Sequence, residues 1–186
     1  MTEPTLFGVG KAQWELINSF GNWLSAIGSI AAAGIALYLA NRASKPSARV
    51  TVRHRLVVGS GIVEPFPQFV VFTLVNTGDR PIRVSQIGWE VGMFRKQYAM
   101  QLFDAILSSP LPIELTHGQE ASWLVALTYA DQDPWADRFS KDFISKYQRL
   151  SLWTLRGIFS TSVGHVFSAK PDKNILKLLR EAYKKS

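Results

Sequence analysis

Along this chain the hydrophobic and polar positions follow two different rhythms. From Leu16 to Asn41 no residue is charged, and Glu15 and Arg42 bracket the stretch. Its centre, Trp23 to Ala40, reads WLSAIGSIAAAGIALYLA. An apolar run of roughly 18 residues, rising about 1.5 Å per residue, covers about 27 Å, enough for a hydrocarbon core. Backbone groups in lipid must be satisfied within the segment, which demands a helix. Trp23 and Tyr38 stand near the two ends, where aromatic rings prefer the interface. The pattern predicts a transmembrane helix over 16–41. Three readings compete with it. A cleaved signal peptide wants a basic start and a short apolar core, but the first charge is Glu3, only Lys11 is basic before the run, and the run begins late. A buried soluble helix is favoured by the many Ala, Gly and Ser residues. An interfacial helix needs a charged face, which this stretch lacks.

The basic residues set the expected orientation. Arg42, Lys45, Arg49, Arg53 and Arg55 follow the span closely, whereas Lys11 alone precedes it. The positive-inside rule then puts the C-terminal part in the cytoplasm and the short N-terminus outside. Arg42, Lys45 and Arg49 form a membrane-proximal basic group that can attract anionic headgroups. Within the span, Gly21, Ser25, Gly28, Ser29, Ala32 and Ala36 recur at spacings of three and four. Such a small-residue stripe lets helix backbones approach closely, so it is a candidate surface for self-association. The plainer explanation is that Ala and Gly are common in this helix.

After Lys45-Pro46 the period changes to two. Val50, Val52, His54, Leu56 and Val58 alternate with Thr51, Arg53 and Arg55, which predicts a half-buried strand. QFVVFTLVN is apolar on both faces and reads as a central strand. Asn76 to Pro81 is a turn, because Asn and Gly tolerate positive φ and Pro81 cannot donate to a ladder. In PIRVSQIGWEVG the apolar face starts with Ile82, Val84 and Gln86 and then slips to Ile87, Trp89 and Val91; Gly88 is the expected bulge. MFRKQYAMQL reads as an edge strand guarded by Arg95 and Lys96. Two short strands flank His117-Gly118. Pro134 suits a first helical turn with Asp133 as its cap, and Trp135, Phe139, Phe143 and Tyr147 repeat every four residues as one helical face. LSLWTLRGIFS and HVFSA are expected to form a hairpin around Thr161 to Gly164. Asp172 is placed to cap a last helix whose Ile175, Leu176, Leu179 and Tyr183 face inward, with Lys184 and Lys185 at its C-terminal end.

Short strands at turn spacings of about 10 residues predict an antiparallel sandwich or partly open barrel. The expected organisation is an extracytoplasmic N-terminus over 1–15, a transmembrane helix over 16–41, a basic stem over 42–48 and a mainly-β domain over 49–186, with one inserted helix and a C-terminal helix. The stretch FVVFTLVNTGDRPIRVSQIGW resembles the core hairpin of immunoglobulin-like sandwiches. The whole layout is similar to a group of uncharacterised bacterial single-pass membrane-anchored proteins, on the strength of Asn76 to Pro81 followed by Ile87-Gly88-Trp89. That resemblance implies an immunoglobulin-like fold and brings no assigned activity.

Composition narrows the chemistry. With 186 residues, 47% apolar and 19% charged, the chain is neither disordered nor collagen-like. It has no cysteine, which removes disulfides, thiolate-bound metals and thiol catalysis. Lys and Arg number 21 against 14 Asp and Glu, a net charge of +7. Arg53, Arg55, Arg80, Arg83, Arg95 and Lys96 are the candidates for a basic face, but stem charges account for two of them and later basic residues are interleaved with acids as on an ordinary surface, so nucleic acid is not the expected partner. His54, His117 and His165 belong to no nucleophile pattern, and no Ser occupies a G-x-S-x-G elbow. Asp131, Asp133 and Asp137 depart from a Ca²⁺ loop, with Pro134 interrupting and no terminal Glu. Gly59-Ser60-Gly61 is not followed by a phosphate-loop signature. No ionisable residue lies in the span. The expectation is therefore a non-enzymatic interaction module without cofactor or metal, displayed at the cytoplasmic face of a bacterial inner membrane. Its expected partners are the lipid bilayer, an unidentified protein and a second copy through the span. The alternative is a small oligomerising membrane effector, acting in phage defence, superinfection exclusion or toxicity.

Overall fold

The computed structural model describes residues 11–43, 45–59, 66–93, 95–128, 133–144 and 148–185. It divides into two units, one ending at Lys45 and one beginning at Pro46. The first holds α1 (Lys11–Ala43), a single unbroken helix. Within it, Gln13–Asn41 is long and apolar enough to cross a membrane by length and composition. The helix stops short of Lys45-Pro46, where the proline ring disfavours helical backbone at the residue before it.

The second unit is built on antiparallel strands. A first sheet has the order β1 (Ala48–Leu56), β2 (Gln68–Asn76), β6 (Glu120–Ala126). A second has β3 (Ile82–Val91) at its heart, flanked on one edge by β4 (Gln97–Met100) and β5 (Ile113–Leu115) and on the other by β7 (Arg156–Thr161) and then β8 (Val166–Ala169). The strand apolar on both faces, β2, is central in its sheet, as expected. The strands around His117-Gly118 belong to different sheets, β5 pairing with β3 and β6 with β2.

The inner faces of the sheets meet through aromatic rings. Phe72 of β2 lies edge-on to Trp89 of β3 at 5.0 Å and to Phe159 of β7 at 5.7 Å. Trp123 of β6 reaches Phe159 at 6.0 Å. Each ring pair adds about 0.5–1.5 kcal/mol beyond simple area burial. Gly157 lets the sheets close on one another: a Cβ there would stand 2.5 Å from Val52 Cγ2 and 3.0 Å from Phe72 Cε1. Among the described residues the fit leaves one buried side-chain polar atom stranded. The Trp123 indole N–H is buried without a hydrogen-bond partner, a cost of about 1–3 kcal/mol.

Three helices complete the unit. Between β6 and β7 come α2 (Trp135–Phe143) and α3 (Gln148–Thr154), so two helices are inserted where the pattern predicted one. The first half of LSLWTLRGIFS is α3, not strand. Ser151 and Leu152 are buried, as is Leu155 just past the helix end, while Leu150 and Trp153 are exposed. Pro134, not Asp133, occupies the N-cap of α2, and no side chain caps it. Tyr147 and Asp131 lie outside the described residues. The parity slip in β3 is real, but the register shift falls between Val84 and Gln86. Gly88 serves a different end, since a Cβ there would stand 2.3 Å from the Ala99 carbonyl oxygen.

Helix α4 (Lys173–Lys185) packs on this unit through Ile175, Leu179 and Ala182. Asp172 fixes its start, one carboxylate oxygen accepting from Ile175 N and the other from His54 N, both at 2.9 Å. Asn76, fully buried, donates to the carbonyls of Arg80 and Leu115 at 2.8 Å and accepts from Gly78 N at 2.9 Å. It thereby locks the turn that the Asn76 to Pro81 pattern predicted.

The contact at Gly157 is testable by a double-mutant cycle on the full chain in detergent. Gly157→Ala should lower the unfolding free energy by about 1–3 kcal/mol through overpacking. Combined with Val52→Ala, which vacates the colliding methyl, the loss should fall short of the sum of the two singles by at least about 0.5 kcal/mol. Strict additivity would mean that Val52 does not limit the approach.

Candidate functional site

The residues singled out in the apolar helix all lie on one side of it. At about 100° per residue, Gly21, Ser25, Gly28, Ser29, Ala32 and Ala36 fall within an arc of about 100°. All six are exposed. A Cβ added at Gly21 or Gly28 would meet nothing within 4 Å, so no contact described in this chain demands glycine there. The Ser29 hydroxyl donates to the Ser25 carbonyl at 2.9 Å, which lets a polar side chain sit in an apolar helix with its donor satisfied. Of the basic group, Lys45 and Arg49 are exposed. Arg49 belongs to β1, not to the linker. The side chain of Arg42 lies outside the described residues.

The domain contributes two further surfaces. On the first sheet, β1 turns Arg49, Thr51, Arg53 and Arg55 away from the core. Thr51 pairs with Thr73 of β2, which in turn pairs with Ser122 of β6. The Thr73 and Ser122 hydroxyls are 3.2 Å apart. A shallow depression of about 280 Å³ is lined by Thr51, Arg53, Arg55, Val71, Thr73 and Glu120. These arginines do not share a face with Arg83, which lies on β3 in the other sheet. Lys96 is held at 2.8 Å by Glu90, and its hydrogen bond to that carboxylate raises its pKa above the usual 10.5, so the ammonium stays charged.

The second surface is a groove of about 580 Å³ between β4 and α2, with Met100, Gln101, Leu102, Val125, Trp135 and Phe139 among its walls. Gln101 organises it. Its carboxamide oxygen accepts from both the Trp89 and Trp135 indoles, at 2.8 and 3.2 Å, while its nitrogen donates to the Leu102 carbonyl at 2.7 Å. Trp135 stacks on Phe139 at 4.8 Å. The wall residues Met100 and Leu102 are exposed, as are Tyr98 of β4 and, further along the chain, Ile106 and Leu107. Sequence reasoning missed Gln101, because the two indoles it joins come from segments 46 residues apart and no local pattern links them.

The histidines stand in separate places with local partners. His54 Nε2 lies 3.0 Å from Gln68 Oε1, and His117 Nδ1 lies 3.2 Å from the Gly78 carbonyl. The His165 ring sits edge-on to Phe167 at 4.6 Å. Among the described residues no three His, Cys, Asp or Glu side chains gather in a metal-binding group. Asp133 and Asp137 flank the start of α2, where acidic charge complements the helix dipole.

No protein-family model matches the chain, and no curated protein matches it. Among solved structures it is similar to a Bordetella pertussis protein assigned as ApaA, at 18% identity over 67% of this chain and 87% of that one, with a TM-score of 0.31. It is also similar to a second structural-genomics target, SoR45, at 13% identity over 66% of this chain and 80% of that one, again with a TM-score of 0.31. By its own strand pairing, the part of the chain after the apolar helix is β-rich, with antiparallel sheets and helices.

Gln101→Leu keeps the approximate volume but leaves two buried indole N–H groups without an acceptor. Denaturant unfolding followed by tryptophan fluorescence should show a loss of about 1–3 kcal/mol, together with a changed native emission spectrum. An unchanged midpoint and spectrum would mean that Gln101 does not organise the groove.

Proposed function

We propose that this protein is a membrane-anchored, non-enzymatic interaction module. Helix α1 spans a bacterial inner membrane with its N-terminus outside, and the domain is displayed at the cytoplasmic face. One observation carries the reading: the apolar window of α1 is 0% buried. A soluble core helix of that composition would have its apolar side chains covered. Here Leu16, Phe20, Ile27, Ile30 and Leu37 are all exposed, and lipid is the medium that removes such a surface from water. The basic residues that follow the span favour the proposed orientation.

The domain is read as an immunoglobulin-like sandwich. The order β1-β2-β6 matches strands A, B and E of that fold, and β4-β3-β7-β8 matches C′, C, F and G. In antibody domains a buried Trp on strand C packs against a disulfide joining B and F. Here Trp89, on the strand read as C, packs against Phe72, and Phe72 and Phe159 meet where that bridge would lie. Such a frame presents loops and sheet faces rigidly, which suits recognition. No cofactor enters this reading. The partners are the bilayer and an unidentified protein.

A second reading is favoured by the single-sided stripe from Gly21 to Ala36: a small membrane effector whose spans self-associate, acting in phage defence, superinfection exclusion or toxicity. Small residues along one arc allow close backbone contact between spans. Growth arrest on overexpression, abolished by Gly28→Leu or Ala32→Leu, would support it, and harmless overexpression would count against it.

The absence of cysteine makes the anchor directly testable. Thr5→Cys and Lys184→Cys, produced separately in bacterial cells, are to be probed with a membrane-impermeant maleimide. Thr5→Cys should label in intact cells and Lys184→Cys only after lysis, with both chains resisting alkaline extraction from membranes. The reverse labelling pattern would overturn the orientation, and extraction by alkali would overturn the anchor.

A further inference from the structure

The outer face of the first sheet carries basic charge that no carboxylate among the described residues pairs. Arg49, Arg53 and Arg55 are exposed on β1. None of them forms an ion pair among the described residues, and Arg55 spends one N–H on the His54 carbonyl at 3.2 Å. Strands β1, β2 and β6 together contain one carboxylate, Glu120, at the Arg49 end of the face. Between the guanidiniums runs the row of hydroxyls from Thr51 through Thr73 to Ser122. Guanidinium groups bind phosphate oxygens in a bidentate fork, and hydroxyls add neutral donors beside them.

We propose that this sheet face lies on the anionic headgroups of the leaflet that anchors α1, with Arg53 and Arg55 engaging lipid phosphates. The inference rests on the membrane-anchor reading and extends it. Charge complementarity is its first support: three arginines with no ion pair among the described residues share one face, and each basic residue near an anionic lipid surface is attracted to it. The second is chain length. Helix α1 ends at Ala43 and β1 begins at Ala48, and a linker this short reaches at most about 18 Å. The start of the face is therefore tethered within about two Debye lengths of the end of α1 at physiological salt. Strand β1 runs away from that tether, so its Arg55 end meets the membrane only when the face lies flat.

The test uses the full chain in lipid nanodiscs. A donor fluorophore is placed at Thr128→Cys, an exposed position just beyond β6 at the Arg55 end of the sheet. Acceptors are carried on lipid headgroups. Discs of phosphatidylcholine alone are compared with discs containing a third phosphatidylglycerol. Energy transfer should rise at least twofold in the anionic discs and fall back in 0.5 M NaCl. Arg53→Glu with Arg55→Glu should abolish the rise, Arg53→Lys with Arg55→Lys should retain most of it, and Arg83→Glu on the other sheet should leave it intact. Equal transfer in both lipids, or a rise that survives the double charge reversal, overturns the docking. A chain that fails to co-elute with the discs overturns the anchor itself. A co-eluting chain without a lipid-dependent signal overturns only the docking.

Discussion

Everything in the second unit hangs on how closely its two sheets approach. The Phe72 ring sits between Trp89 and Phe159, and it fits because Gly157 presents no side chain where Val52 and Phe72 crowd in. With no cysteine in the chain, no covalent bridge can hold the sheets, and the aromatic contact takes over that task. Packed rings lock an interior as a crystal does, by shape and dispersion, so a single added carbon is felt. The unpartnered Trp123 indole shows what that closeness costs, because the ring is buried between the sheets with no acceptor beside it.

Around this contact the structure closes its open edges with local chemistry. The free edge of β6 is covered by the segment that follows β4. Asp104 N and Ser109 N donate to the carbonyls of Leu124 and Ser122, while the Ser108 and Ser109 hydroxyls accept from Leu124 N and Ser122 N. A covered edge cannot recruit a foreign strand. The β1 side is tied to the C-terminal helix by Asp172, which bridges His54 N and Ile175 N. The Ser140 hydroxyl of α2 donates to the Leu179 carbonyl of α4 at 3.3 Å, so the inserted and terminal helices brace one another. The outer face of the first sheet and the edge at β4 are what this bracing leaves presented.

The histidines are scattered, and the exposed apolar residues around Met100 and the exposed arginines of β1 offer very different chemistries. The apolar edge beside the Gln101 groove suits contact with another macromolecule, whereas the arginine face suits anionic groups.

The apolar helix was legible from composition alone, since an uncharged run from Leu16 to Asn41 has few alternatives once its length is counted. Strands β1, β2 and β3, the Asn76 turn, the β7–β8 hairpin and the Asp172 cap were also legible, because period-two alternation and turn chemistry act over a few residues. Even the parity slip in β3 could be read, although its position was displaced from Ser85 to Gly88. What the tertiary structure decided is whatever depends on residues distant in the chain. Segment 150–154 is as apolar as a strand, yet it folds into α3, where Thr154 accepts from Gly92 N at 3.0 Å. Gln101 joins two tryptophans that no spacing relates. Arg53 and Arg83, both outward-facing in β-patterned segments, end on different sheets because strand pairing assigns them there. Local pattern fixes which face of an element is apolar; only the packing of elements determines which polar faces end up side by side.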